Sequence, residues 1–385
     1  MNIINLPVSL GEALDKLTIL DIKMNKIKDE RHEHVKKEYN ILYERLKEHV
    51  EKFNFYYKIL KQINLDIWDM QDDFRYNSGD KVKLCFRIIS DNDRRFRVKK
   101  KINDLTNSSL KEQKGYNSKK AMILTHMGLG DHLTANGMVR YLSTCYDEVV
   151  VICKTKNRKN LELFYQDDKS IIIHDVNDDC DISPNFGCKP ENFYKVAKGY
   201  TLYVCGLHNF TGIRYDKMKI PLTFYEELQL DTNIFWNYFH IPVLNEAKDL
   251  YEKINGMEYI FIHNISSIGT LFDIEFVEKK LNLDRNEILF INPNFNCYVE
   301  KDNKEFYKFA NLFIGYKLSY YIEIIKNAKY NILCDSSFMC MAINLEIKTD
   351  NNYYYPRNQN NYDILYEPNY IFKNKNKKVF FNLKN

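Results

Sequence analysis

The sequence predicts an α/β protein in three parts: an all-α helical module, then two halves that each build a parallel sheet. Three observations lead there. Apolar residues step at helical spacing through roughly the first hundred positions. A polar stretch interrupts that rhythm, and beyond it short β-rich runs alternate with segments long enough for helices. The chain of 385 residues is also longer than one compact domain usually is.

The first helix is signalled by "SLGE", where Ser9 and Glu12 form a capping-box pattern before Leu10, Leu14, Leu17, Met24 and Ile27 recur at helical steps. Beyond "KDERHEH", the positions Val35, Tyr39, Leu42, Leu46, Val50, Phe53, Tyr57 and Leu60 predict a second, long amphipathic helix folded back on the first. "NLDIWDMQDDFR" and "NDRRFRVKKKINDL" read as further helices, and "TNSSLKEQKGYNSKK" as a polar linker, which sets a boundary near residue 116. The runs "AMILT", "EVVVIC", "SIIIH" and "TLYVC" then predict one series of strands. After a connection with helices, "YIFIHN", "EILFIN" and "YNILC" predict a second series, with "KLSYYIEIIKNA" and "FMCMAINL" as helices. The expected organisation is a helical bundle at 1–116, a Rossmann-like domain at 117–235 and another at 236–385, the last two facing each other across a cleft.

Composition narrows the function classes. A hydrophobic fraction of 45% with 28% charged residues is ordinary for a soluble protein, and no apolar run approaches the roughly 18 residues of a membrane span. The start "MNIINLPVSLGEALDK" lacks the marks of a secretory signal, so a cytoplasmic location is expected. Nine cysteines without a CxxC pair argue for reduced thiols rather than disulfides or structural zinc. A net charge of +4 is weak for a nucleic-acid binder, and no nucleic-acid partner is expected. The basic, Asn-rich tail "IFKNKNKKVFFNLKN" reads as a solvated terminus.

The stretch "HMGLGDHLTANG" concentrates chemistry. Only 13 glycines occur in the chain, yet Gly128 and Gly130 stand one residue apart, directly before Asp131, where a predicted strand passes into a helix. Open α/β sheets bind ligands at such strand ends. A dinucleotide fingerprint fails, because its third glycine would be Leu133 and its acidic residue Lys154; a P-loop fails because no GK[ST] follows. A helix start favours the charged form of Asp131, and the glycines leave backbone space beside it for a bulky substrate. Such a carboxylate can take a proton from a hydroxyl. His126 and His132 are alternative bases, and a glycine bend that merely lets strand and helix pack is the plain alternative. In "YNILCDSSFMCMAINL" a strand ends at Asp335, and Ser336 and Ser337 open a helix whose amides and hydroxyls suit a diphosphate. An ordinary helix cap is the competing reading there. His263, Ser266 and Ser267 in "FIHNISSIG" follow the first strand of the second half and could reach the same cleft.

Over residues 119 to 360 or so, this layout resembles the GT-B class of glycosyltransferases, most closely the heptosyltransferase-like family. The resemblance implies that Asp131 in "GLGD" is the catalytic base and that Asp335 and Ser336 in "DSS" begin the donor-phosphate site. The sequence departs from the family at Ser337, where a glycine is usual, and at Cys340, often histidine. The lysine usual near the start of the second domain is missing from "HNISSIG", with Lys317 and Arg357 as the basic residues considered in its place. The resemblance further implies a nucleotide-diphosphate sugar as donor, a glycan or other hydroxyl acceptor, inversion, and neither metal nor cofactor, since a helix start and side-chain donors neutralise the leaving diphosphate. "DDCD" at Asp178 to Asp181 has the form of the metal motif of the other glycosyltransferase class but reads as a solvated acidic loop. "NNYYYPRNQNNY" could stack on a base or sugar. The first 116 residues resemble an uncharacterised helical domain family of bacteria and large viruses, through "PVSLGEALDKLTILDIK", "LDIWDMQDDFR", "NDRRFRVKKKIN" and "KGY". That module could pack on the catalytic unit or pair two chains into a homodimer. Two other functions stay open: a non-catalytic nucleotide-sugar-binding or scaffolding protein acting through the helical module, and a GT-B-like nucleotide-sugar epimerase.

Overall fold

The computed structural model describes residues 6–76, 79–115, 117–177, 197–206, 222–267 and 269–355, and the backbone of 380–382. The chain divides into two compact units. One comprises Met1–Ala121, Val139–Val150 and Asp167–Ile172, the other Met122–Met138, Val151–Gln166 and Ile173–Asn385.

Four helices open the first unit: α1 (Leu10–Lys26), α2 (Arg31–Lys52), α3 (Asn54–Arg75) and α4 (Lys81–Leu105). Ser9 caps α1 by accepting the Glu12 amide at 3.3 Å. The stretch expected as one long helix from Val35 to Leu60 is two. The helix breaks at Phe53 (φ −109°, ψ 28°), whose side chain is buried, and α3 starts at the next residue. The physical reason is unequal burial: α2 buries only Leu46, whereas α3 buries Tyr56, Tyr57, Ile59, Leu60, Ile63, Ile67 and Met70. The break lets α3 lay that broad face on α1 and α4. "NLDIWDMQDDFR" is accordingly the end of α3 rather than a separate helix.

The basic run of α4 faces inward. Arg95 Nε donates to Asp15 at 2.8 Å, Lys99 Nζ reaches Glu12 and Glu112 at 2.7 Å each, and Arg94 pairs with Asp91 at 2.8 Å. Arg97 meets Asp147 at 2.9 Å, and the buried Lys101 meets the buried Asp168 at 2.8 Å. Beside them Arg140, fully buried, donates to Asp167 at 2.6 Å, and the Tyr56 hydroxyl donates to the same carboxylate at 3.0 Å. Burial alone would push the Asp168 carboxyl up, but Lys101, Arg140 and the Ser170 hydroxyl outweigh it and hold it below the ordinary carboxylate range. Burial pulls the Lys101 ammonium down, and Asp168 opposes that pull.

Two sheets follow. The first contains β1 (Lys120–Leu124), β2 (Glu148–Lys154), β3 (Ile171–Val176) and β4 (Thr201–Val204) in the order β3-β2-β1-β4. Helices α5 (Leu129–Thr134) and α6 (Asn136–Cys145) lie in sequence between β1 and β2, and α7 (Arg158–Tyr165) between β2 and β3. Next come β5 (Tyr259–His263), the short antiparallel pair β6 (Ile265–Ser266) and β7 (Gly269–Thr270), β8 (Leu289–Ile291), β9 (Tyr330–Cys334), β10 (Asn352–Tyr355) and β11 (Phe380–Asn382). The second sheet runs β11-β10-β9-β5-β8, with every adjacent pair parallel. Nearly all side chains of β1, β2, β5 and β9 are buried, as in strands covered on both faces. The strand order reverses at β1/β4 in the first sheet and at β5/β9 in the second, and those reversals are where open α/β sheets receive ligands. No described helix is long and apolar enough to cross a membrane.

The buried pair makes a testable demand. Asp168→Ala strands the Lys101 ammonium in the interior and is expected to lower stability by about 3–5 kcal/mol in urea denaturation at pH 7. Replacing both partners by Leu and Met should recover most of that loss. Because its folded pKa is depressed, the Asp168 contribution is full above the unfolded carboxylate value and fades as pH falls through the folded one. An undiminished midpoint in Asp168→Ala contradicts a supporting role.

Candidate functional site

The two motifs singled out in the sequence meet. After β1, Met127 adopts φ 44°, a left-handed conformation that long side chains rarely take. Its side chain is buried, and the Asn157 side-chain amide donates to its carbonyl at 3.0 Å, which holds the strained residue in place. The Gly128 amide donates to the His126 carbonyl at 2.6 Å and to Asp131 Oδ2 at 3.2 Å. Asp131, at the third position of α5, thus folds back on the turn as the acid of a capping box, where the helix dipole favours its charge.

Each glycine of the turn serves a contact. A Cβ on Gly128 would fall 2.5 Å from Asp131 Oδ2, and one on Gly130 would fall 3.3 Å from Cys340 Sγ and 3.8 Å from Ser337 Cα. The space beside them is therefore filled by protein, not left for a substrate as expected from the sequence. Gly128 admits the carboxylate of Asp131, and Gly130 makes room for the Cys340 thiol beside the serine turn.

That second turn follows β9. Asp335 is buried and its amide donates to the Tyr355 carbonyl at 3.1 Å. Ser336 is the extended N-cap of the Ser337–Ala342 helix, yet its side chain makes no capping bond. Its hydroxyl lies instead 2.9 Å from His263 Nδ1, at the end of β5. Cys334 Sγ is 3.6 Å from the same nitrogen and donates to the Ile265 carbonyl at 3.3 Å, while the Phe338 ring lies 4.5 Å from the imidazole, centroid to centroid. Burial pushes the His263 pKa down to about 4, so the ring is neutral near pH 7. The Cys340 thiol is raised well above its ordinary range by burial, with the Asp335 and Asp131 carboxylates adding to the effect; both are felt at one sulfur.

Asp131, Gly128, Gly130, Asp335, Ser336, Ser337 and His263 are thus brought together. The other expected residues are placed differently. His132 is interior: burial takes its pKa to about 4, and its Nε2 is buried with no hydrogen-bond partner. His126 is the exposed histidine of the turn. Ser266 donates to the Gly269 carbonyl at 3.3 Å within the β6/β7 hairpin, Ser267 is exposed at its turn, and Lys317 begins the Leu318–Tyr321 helical turn. Arg357 and Asp178 to Asp181 lie outside the described residues. Met127, Asn157, Cys334 and Phe338 also line this region, and no motif in the sequence marks them. A glycine pair suggests a left-handed glycine, but Gly128 is extended and Met127 takes that conformation. The described cysteines are all free thiols.

Two outcomes follow from this geometry. Gly130→Val is expected to cost about 1–3 kcal/mol in thermal or urea unfolding, part of it recovered by adding Cys340→Ala; a costless substitution contradicts the contact. Stability should also be full above pH 6.5 and fall toward pH 4, because the unfolded chain protonates His263 and His132 at a higher pH than the folded one. The loss amounts to a few kcal/mol at roughly 1.4 kcal/mol per pKa unit. His263→Gln should shrink it, and an unchanged urea midpoint between pH 7.5 and 5 speaks against two buried neutral imidazoles.

Residues 4–126 match DUF6165, a family of unknown function. That match spans the helical module and β1, about a third of the chain. No curated protein matches the sequence. Among solved structures, the chain is similar to a glycosyl transferase family 9 protein from Veillonella parvula DSM 2008, at 11% identity over 64% of this chain and 83% of that one, with a TM-score of 0.41. It is also similar to the iron-containing dodecameric glycosyltransferase TibC from enterotoxigenic E. coli H10407, at 12% identity over 63% and 59% of the two chains, with a TM-score of 0.36. Both likenesses are too distant to carry an activity or a partner over to this chain. The iron-containing neighbour corrects one expectation: freedom from metal is not a rule that the resemblance can supply. Among the described residues no group of three or more His, Cys, Asp and Glu side chains is placed to hold a metal ion.

Proposed function

We propose that the protein transfers a sugar from a nucleotide-diphosphate sugar to a hydroxyl of a glycan or other acceptor. The observation that carries this reading is the meeting of the "GLGD" and "DSS" turns, where Gly130 lies against Ser337 and Cys340, at the strand ends where the two sheets reverse order. A carboxylate and a hydroxyl-rich helix start are the parts that displacement of a diphosphate requires.

In this reading the diphosphate lies at Ser336 and Ser337. Ser336 supports such a role because its hydroxyl is turned to His263 and does not cap the helix behind it. The acceptor oxygen attacks the anomeric carbon from the face opposite the diphosphate. A carbon–oxygen bond forms to the acceptor, the bond to the diphosphate breaks, its electron pair leaves with the nucleoside diphosphate, and the acceptor proton passes to Asp131, giving inversion. The Gly128 amide fixes the orientation of that carboxylate. Residues 117–235 then serve the acceptor, residues 236–385 the donor, and the helical module an interface.

Asp131→Asn is expected to keep the fold and nucleoside-diphosphate binding while lowering transfer by about 10²–10⁴-fold. Ser336→Ala is expected to weaken nucleoside-diphosphate binding by roughly 10-fold or more, read by calorimetry. Near-normal turnover in Asp131→Asn sinks the base assignment. Binding without turnover across a broad acceptor panel favours the scaffold reading, and an altered sugar without acceptor favours an epimerase.

A further inference from the structure

The hairpin of α3 and α4 carries an apolar face that its own packing does not use. At 100° per residue, Val82, Cys85, Phe86 and Ile89 share one stripe of α4, opposite the buried Leu84 and Asp91. Val82, Phe86 and Ile89 are 66%, 69% and 60% exposed, and Cys85 is exposed beside them. The end of α3 adds Tyr76, 81% exposed, and Phe74, whose ring lies 5.5 Å from the Lys81 ammonium at the start of α4. Isolated exposed apolar residues need no explanation, but a stripe with a seven-residue repeat has the form of a helix–helix seam.

We propose that this tip is the contact face of a homodimer, in which two α4 helices pair antiparallel about a two-fold axis between positions 85 and 86. The stripe is self-complementary under that operation. Val82 meets the partner's Ile89 and Cys85 meets the partner's Phe86, so every apolar position faces an apolar one, as an isologous interface requires. Charge selects the direction. Lys81, Lys83 and Arg87 make the start of α4 basic, while Asp93 continues the stripe at its other end. Antiparallel pairing runs the basic start of one helix toward the partner's Asp93, whereas parallel pairing stacks Lys81, Lys83 and Arg87 on their own copies. With aromatic side chains of about 150–250 Å² each, the patch and its flanks offer roughly 600–800 Å² per copy, close to the ~800 Å² a side of a standard interface. Asp72, Asp73 and Asp80 are mixed with Arg75, Lys81, Lys83 and Arg87 at this tip, which is not the uniformly basic cluster that an anionic lipid surface selects. This face lies within the first unit and shares no residue with the proposed transferase site.

The test is the mass of the full chain in solution, by light scattering after size exclusion over a range of micromolar concentrations. Wild type is expected at twice 46.1 kDa. Phe86→Asp and Ile89→Lys should each weaken association by roughly 100-fold or more, with an unchanged far-UV circular dichroism spectrum because both side chains are exposed. A short bis-maleimide should link two wild-type chains, and Cys85→Ser should abolish the link. A wild-type chain that stays at 46.1 kDa at every concentration overturns the proposal, whether or not it binds anionic vesicles. So does a dimer that survives both substitutions.

Discussion

The candidate site depends on how closely two stretches of backbone pass at Gly130. A Cβ at Gly130 would stand 3.3 Å from Cys340 Sγ and in van der Waals contact with the Ser337 backbone, so the helix start after β1 and the helix start after β9 rest directly on each other. Other features follow from that approach. Asp131 must fold its carboxylate back onto the Gly128 amide, and Gly128 must lack a Cβ to admit it. The chain reaches this geometry through a left-handed Met127, a strain that persists because the surrounding packing and Asn157 fix it. On the opposite side, the bond between Ser336 and the neutral His263 joins the ends of β5 and β9 at the reversal of strand order. Two carboxylates, two hydroxyls and an imidazole are thereby collected by backbone proximity.

The helical module obeys a different constraint. Its basic stretch "RRFRVKKK" would read as a binding surface if it faced water, but Arg94, Arg95, Arg97, Lys99 and Lys101 each have a carboxylate partner within the same unit. Buried ion pairs return little net stability, because desolvation offsets most of their attraction. Their consequence is register: a shift of α4 by one residue would strand several charges at once. The partners reach beyond the first four helices to Asp147 and Asp168, so α4, the residues leading into β2 and those leading into β3 form one compact body.

Much of this was legible in the sequence, and the exceptions have physical causes. The strands "AMILT", "EVVVIC", "YIFIHN" and "YNILC" stood out because buried parallel strands are continuous apolar runs. "GLGD" and "DSS" stood out because small and acidic residues cluster where strands end. The break at Phe53 did not, since periodicity passes smoothly through a residue that is apolar in either arrangement. β10, "NYYY", carries no apolar run and is ordered by its pairing with β9. The glycines' neighbours are not legible for a general reason: a sequence shows that a side chain is missing, but not which neighbour takes its place. His132 illustrates the same limit, being a polar residue of an apparent site turn that the fold places in the interior.

The central claim is spatial: a diphosphate belongs at the serine turn, beside the Asp131 carboxylate. A crystal structure of the full chain with a nucleoside diphosphate tests it most directly. The account predicts phosphate oxygens within hydrogen-bond distance of Ser336 and Ser337, on the side of the turn that faces Asp131. A nucleotide bound elsewhere on the chain, with the serine turn untouched, would contradict it.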